Sequence, residues 1–384
     1  MAIIDDYARG KLAGLDAQSL RRTLTPTDRH DSVHANRDGK PLISFCCNDY
    51  LNLSHHPEVM EAANQATMRF GTGAGGSRLI SGNVPLYEAL ETKLAQIKGT
   101  EAALVFGSGY LTNIGVIPCF AGPGDLIIAD ALSHACLHGG ARMSGADIHL
   151  FAHNDMAECQ ELLAQHRANA RHCMIVTDGV FSMDGDLALL VDLANLAEEF
   201  DAWLMVDDAH GLGVIGDGKG SVHAAGLKGR VPLQMGTLSK SVGTYGGYLC
   251  ASQDIIDLVI NRGRSFVYST GLPPATLAAS IKALAIIDRD RELTELPIKN
   301  AARFCTALNL AKPQSPVVPL ILGEADQVMR ASAALQDAGY LVTGIRPPTV
   351  PEGTARLRFT FTAAHTPEDI DGLVDTLREL GIRP

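Results

Sequence analysis

The chain has 384 residues, with 43 acidic side chains against 32 basic ones, a formal net charge of −11, 46% hydrophobic residues and 38 glycines. That length and apolar content exclude disorder and imply one large domain with a smaller one beside it, or two of similar size. The acidic balance argues against nucleic acid or an anionic membrane as partner. No apolar run reaches bilayer length, and MAIIDDYARGK lacks a signal peptide's layout, so a cytoplasmic protein is expected.

Residues 1–45 open with a helical segment running to SLRR and continue as a polar stretch. Between residues 46 and 290, β-rich runs alternate with amphipathic helical patterns such as PLYEALETKLAQIKG and DMAECQELLAQHRAN. The strands are expected at 102–106, 125–130, 147–152, 172–178, 202–208, 231–236 and 245–251. Near-continuous apolar strands between helices predict an α/β fold whose mostly parallel sheet is covered on both faces. From 291 to 384 a few strands stand among helices, which predicts a compact α+β domain. The eight cysteines contain no C-x-x-C and mostly sit in apolar runs, so they read as reduced and structural, with no metal site.

Two G-x-G-x-x-G matches stand out, at Gly71, Gly73, Gly76 and at Gly211, Gly213, Gly216. Neither lies between a strand and a helix, so neither argues for a dinucleotide. Better placed is AALVF running into GSGYLTN. There the N–H groups of Ser108, Gly109 and Tyr110 would open a helix as a phosphate cradle, unless the turn is merely a serine cap. Asp207, Asp208 and His210 follow the apolar strand AWLMV, at the sheet edge where ligands bind, or else serve as a capping acid and a satisfied histidine. Lys240 in GTLSKSVGTYGG is flanked by hydroxyls and glycines; enclosed there, its amine becomes a nucleophile able to form a Schiff base. The plain alternative is a loop lysine in water.

Asp207, His210 and Lys240 in this order resemble the fold-type-I pyridoxal phosphate enzymes. NDYLNLSHHP, GTGAGGSRLISG, LSHACLHGGAR, TDGVFSMDGDLALL, VDDAHGLGVIG, TLSKSVGTYGGY, YSTGLPP and RPPTVPEGTARLRFTFTAAH resemble the CoA-dependent α-oxoamine synthases, across residues 45–365. The resemblance implies a seven-stranded, mostly parallel sheet in a large cofactor-binding domain, a small C-terminal α+β domain, an N-terminal helical segment and a homodimer. It implies pyridoxal phosphate held by Lys240, its ring nitrogen paired with Asp207, its phenolic oxygen met by His210 and Ser182, and its face covered by His134. Ser108, Gly109, Tyr110, Thr237 and Thr270 would bind the phosphate, the last across a dimer interface. Arg346 and Thr349 would hold the amino acid, Arg21 the acyl substrate, and Asn48 would stand near the reacting centre. IRPPTVPEGTARLR and the pair Arg21, Arg22 are most similar to the branch serving biotin synthesis, which joins L-alanine to a pimeloyl thioester with loss of CO2. Glycine C-acetyltransferase and the threonine-aldolase-type lyases remain as rivals. The sequence departs from the family at Asn52 and Ser241, where glycine or a small residue is usual; asparagine tolerates the left-handed backbone expected at the first.

Overall fold

The structure is a computed structural model and describes residues 3–18 and 20–383. Seven strands form its central sheet: β1 (Ala102–Phe106), β2 (Leu126–Asp130), β3 (Asp147–Phe151), β4 (Cys173–Asp178), β5 (Trp203–Asp207), β6 (Leu233–Thr237) and β7 (Gly247–Ala251). They lie in the order β1-β7-β6-β5-β4-β2-β3, and only β7 runs against the others. Six of them fall within the apolar runs expected of them; β6 starts two residues later than expected and runs one residue past its run, to Thr237. Their near-continuous apolar character follows from burial on both sides. Met174 and Val176 of β4 join one hydrophobic cluster, while Cys173 and Ile175 face the other. The long helical stretch after residue 273 is two helices, Pro274–Arg289 and Arg291–Ala307, separated at Asp290, which caps the second.

A three-stranded antiparallel sheet, Val317–Gly323, Ala355–Thr360 and Thr343–Ile345, packs over Phe304, Phe359 and Phe361. The polar stretch expected after the N-terminal helix contains a hairpin instead, His34–Arg37 with Lys40–Ser44. Asp38 and Gly39 turn it with positive φ, and its second strand pairs with Tyr340–Leu341. The N-terminal helix itself ends at Ala17. No helix among the described residues is long and apolar enough to cross a membrane.

His365 ties these parts together. Its Nε2–H donates to Ser44 O at 2.9 Å, Nδ1 accepts from Thr362 N–H at 2.9 Å, and the ring stacks on Phe45. Burial pushes its pKa down to about 4 from 6.5. The neutral ring therefore favours the folded state fully above pH 6.5, and that preference is lost as pH falls towards 4. Stability should drop by up to about 3 kcal/mol across this window. Urea unfolding from pH 7 to 4 checks this, and His365→Gln should flatten the slope.

Candidate active site

The candidate residues follow the carboxyl ends of five central strands, one or two polar groups standing where each chain segment leaves the sheet. After β1, Ser108 caps the helix Gly109–Phe120, its hydroxyl accepting from Leu111 N–H at 3.2 Å. The first-turn N–H groups of Gly109 and Tyr110 have no acceptor within the helix. Thr237, ending β6, lies against this turn: a methyl built on Gly109 would sit 3.5 Å from its Cβ. Its hydroxyl donates to Gly246 O at 2.7 Å and lies 2.8 Å from the Ser239 hydroxyl. Gly247, opening β7, allows the approach, since a Cβ there would stand 2.6 Å from Gly109 N. The serine cap and two N–H groups without a helical acceptor thus share one turn.

Asp207 ends β5 and is 3% exposed. Asn113 Nδ2 donates to its Oδ2 at 2.7 Å and Ala209 N–H to its Oδ1 at 3.0 Å, yet no cation pairs with it among the described residues. A buried carboxylate without a cation is costly, and a protonated ring nitrogen would satisfy it. Directly across the ladder stands Asp178 of β4. Burial and then the charge of Asp207 push its carboxyl well above the usual range, towards the protonated form. Its Oδ2 accepts from His134 N–H at 2.6 Å. His134, after β2, accepts at Nδ1 from Cys136 N–H at 3.2 Å and lies 2.8 Å from the Cys136 thiol. Desolvation, reinforced by Lys240, holds its pKa down against the pull of Asp207, so the ring is neutral with its proton on Nε2.

His210 is 6% exposed and lies 2.6 Å through Nδ1 from the Tyr50 hydroxyl. Burial, then the charges of Lys240 and Arg358, push its pKa well down. Burial likewise raises Tyr50 to about 12. Tyr50 therefore donates to Nδ1, and Nε2–H is left free to donate into the site. Lys240 follows β6 in the same cluster. Burial lowers its pKa; Asp207 and Asp178 oppose this, and Arg358 adds to it.

Arg358, on the buried strand Ala355–Thr360, donates through Nε to Ser182 O at 2.6 Å and through Nη1 to Asn48 Oδ1 at 3.3 Å. Ser182 and Asn48 are thereby brought to the Lys240 cluster. Arg21, Arg346 and Thr349 form a separate group: Arg346 Nη2 donates to Arg21 O at 2.8 Å, and Arg22 to the Thr349 hydroxyl at 3.2 Å. The Arg21 guanidinium pairs with Asp16, and the buried Arg346 Nε has no partner among the described residues. The arginine whose charge bears on Lys240 is Arg358, whereas the sequence pointed to Arg21 and Arg346. Thr270 pairs in a bridge with Ser77 and lines a small cavity with Gly107, without a hydrogen bond to Thr237 or Lys240.

The structure adds Tyr50, Asn113, Cys136, Asp178 and Arg358 to the residues read from sequence. Asp178 carried the same signal as Asp207, an acid closing an apolar strand, and Arg358 stood as a cation inside one. Asn52 adopts the left-handed backbone, φ 55°, and accepts from Ser32 N–H. The second G-x-G-x-x-G match is a turn packed on the lysine loop: Gly213 has φ +87°, and a Cβ there would lie 2.4 Å from Ser241 Cβ. Among the described residues, metal-ligating side chains gather at Asp147, His149 and His166. Their two imidazoles stack at 3.8 Å, which sets the in-plane lone pairs side by side and does not aim them at one ion.

The family model for class I and II aminotransferases matches residues 40–377. The 8-amino-7-oxononanoate synthase of Beijerinckia indica is 55% identical over 380 residues, covering 99% of this chain and 98% of that protein. A serine palmitoyltransferase solved with pyridoxal phosphate superposes with a TM-score of 0.92 at 28% identity, covering all of both chains. The 8-amino-7-oxononanoate synthase structure from Francisella tularensis gives 0.75 at 25% identity, over 88% of this chain and 98% of that one.

Proposed function

Since the chain belongs to the class I and II aminotransferase family, we propose that it is a pyridoxal phosphate-dependent acyltransferase of biotin synthesis. It joins L-alanine to a pimeloyl thioester, carried by CoA or a carrier protein, and yields 8-amino-7-oxononanoate, the free thiol and CO2. One observation carries the reading: a buried carboxylate without a cation, Asp207, beside an enclosed amine of depressed pKa, Lys240.

The residues present fit that cofactor. Gly109, Tyr110 and Thr237 would take its phosphate, Asp207 its ring nitrogen, His210 Nε2–H and the Ser182 loop its phenolic oxygen, and Lys240 Nζ its aldehyde carbon. His134 would cover one face. When bound, pyridoxal phosphate supplies an electron sink for the charge left at Cα as alanine loses its proton. Lys240 Nζ would take that proton, its lowered pKa leaving more of the amine free at neutral pH. Neutral His134 and His210 add no positive charge that would compete with a protonated ring nitrogen for the Asp207 carboxylate.

Arg358 suits the alanine carboxylate, because its fork lies beside Asn48 and within the field of Lys240. Arg346, with its unpartnered Nε beside Arg21 and Thr349, suits the distal carboxylate of the acyl chain. Arg358→Lys should raise the KM for alanine by at least about tenfold with little change in thioester KM, and Arg346→Ala should do the reverse. Steady-state kinetics with each substrate varied checks the assignment.

A homodimer is supported by apolar surface left open around the site. Tyr110, Tyr245 and Tyr268 are exposed, and the helix Ile3–Ala17 buries none of its residues. The reaction is tested by offering alanine with pimeloyl-CoA against glycine with acetyl-CoA, products identified by mass spectrometry. No thiol release from alanine with either pimeloyl-CoA or a pimeloyl carrier-protein thioester sinks the proposal. Cleavage of threonine without any acyl-CoA would replace it with a lyase.

A further inference from the structure

One charged group close to the site takes no part in the chemistry above. His153, in the loop after β3, places Nδ1 3.2 Å from both oxygens of Asp130 and Nε2 2.8 Å from Asp186 Oδ2. Asp130 ends β2 and is 1% exposed; it also accepts from Leu132 N–H at 2.8 Å and Asn154 N–H at 2.9 Å. Asp186 belongs to the loop 181–187 that carries Ser182. The edge of the His153 ring meets Phe181 of the same loop, centroids 4.3 Å apart. With a carboxylate at each nitrogen, both nitrogens must carry protons, so the ring is an imidazolium.

The neighbouring residue acts in the same direction. Asn154 takes φ 55°, its amide donates to Leu187 O at 3.1 Å, and its oxygen accepts from Leu189 N–H at 3.3 Å. From the opposite side the loop is gripped by the C-terminal sheet, through the Arg356–Asp184 ion pair and the bond from Arg358 to Ser182 O. The segment bearing Ser182 is thus suspended between two sheets by three cations. Only one of them, His153, anchors it to the central sheet that carries Lys240 and Asp207.

We propose that His153, an imidazolium bridging Asp130 and Asp186, is a positioning residue that fixes the 181–187 loop and thereby the places of Ser182 and Arg358. Burial alone would lower its pKa; hydrogen bonds and charge from Asp130 and Asp186 outweigh that and push it up to about 10. Without the ring, two carboxylates face an unfilled space, and Asp186, whose Oδ1 already lacks a partner, loses its only cation among the described residues. On the side of the central sheet the loop then keeps the Asn154 bonds but no charged anchor.

The kinetic half of this proposal rests on the reading of the reaction given above; the structural half does not. The test uses the holoenzyme and its His153→Ala and His153→Gln variants, with amide hydrogen exchange read by mass spectrometry beside steady-state kinetics. Exchange across residues 179–189 should rise by about tenfold or more in His153→Ala, while β2 and β4 keep the parent's rates. In the same variant kcat should fall by about 10- to 100-fold with thioester KM changed less than about twofold. His153→Gln, which keeps a donor but no charge, should lie between, and it serves alone if the alanine variant does not fold. Parent-like exchange in the loop overturns the proposal. So does a uniform rise throughout the sheet, the mark of a merely structural residue, or a loosened loop with parent-like kcat. A parent enzyme inactive with alanine and both pimeloyl thioesters, of CoA and of a carrier protein, overturns the reaction instead, and leaves the exchange result standing.

Discussion

Lys240→Ala is expected to lower kcat by at least about 10^4-fold and to remove the visible absorbance that lysine-bound pyridoxal phosphate gives the purified protein. Two functions are lost at once, the covalent attachment and the amine that accepts the Cα proton. No neighbour can substitute. His134 and His210 are held neutral but point their free Nε2–H groups as donors, and Asp178 is pushed towards its protonated form. The fold should persist, because truncation leaves the backbone bond from Gly243 N–H to Lys240 O, 2.8 Å, untouched. The cradle of Gly109, Tyr110 and Thr237 is also intact, so the variant should still take up the cofactor reversibly. Circular dichroism, absorbance and turnover together check this. Activity within tenfold of the parent would mean that Lys240 is not the reacting amine.

Asp207→Asn should cost about 10^3-fold in kcat while changing almost no volume. An amide presents one acceptor where the carboxylate offers two. With that oxygen spent on Asn113 Nδ2, the amide NH2 turns towards Ala209 N–H, donor against donor, and no charge remains to keep a ring nitrogen protonated. Asp178→Asn is the informative comparison. The two carboxyls sit opposite one another on β4 and β5, but burial and Asp207 push Asp178 towards its protonated form, and an amide oxygen can still accept from His134 N–H. Its loss should therefore stay below about tenfold. Equal losses in the two variants would show that the site needs the pair's shape and not the single charge.

The central sheet was legible because its strands are buried on both faces, and continuous apolar runs such as CMIVTD leave few alternatives. The hairpin at 34–44 was hidden by its exposure: half its residues meet water, so it reads as polar. Its one strong local signal was Asp38-Gly39, a dipeptide suited to a tight hairpin turn. Lys240, Asp207 and His210 could be found because each stands next to the end of a strand. Arg358 and Tyr50 could not be found in that way. Their roles come from tertiary approach, Arg358 across more than three hundred residues to Asn48 and Tyr50 across 160 residues to His210. Cys136 was read as a buried hydrophobe, whereas its N–H and thiol also hold the His134 ring.

The position of β7 sets the order in which this molecule can be put together. β1 has a single neighbour in the sheet, and that neighbour is the strand made last of the seven. On a growing chain, residues 102–106 must therefore wait for 247–251 to emerge, while β2 to β6 already have parallel partners to join. Ser108 and Gly109 hang from the waiting strand and Thr237 from the completed block, so the cradle proposed for the phosphate closes only when β7 slides between them. Contacts of such long sequence separation form late and slowly. Cofactor uptake during refolding should accordingly report the final insertion, and lag behind the return of secondary structure.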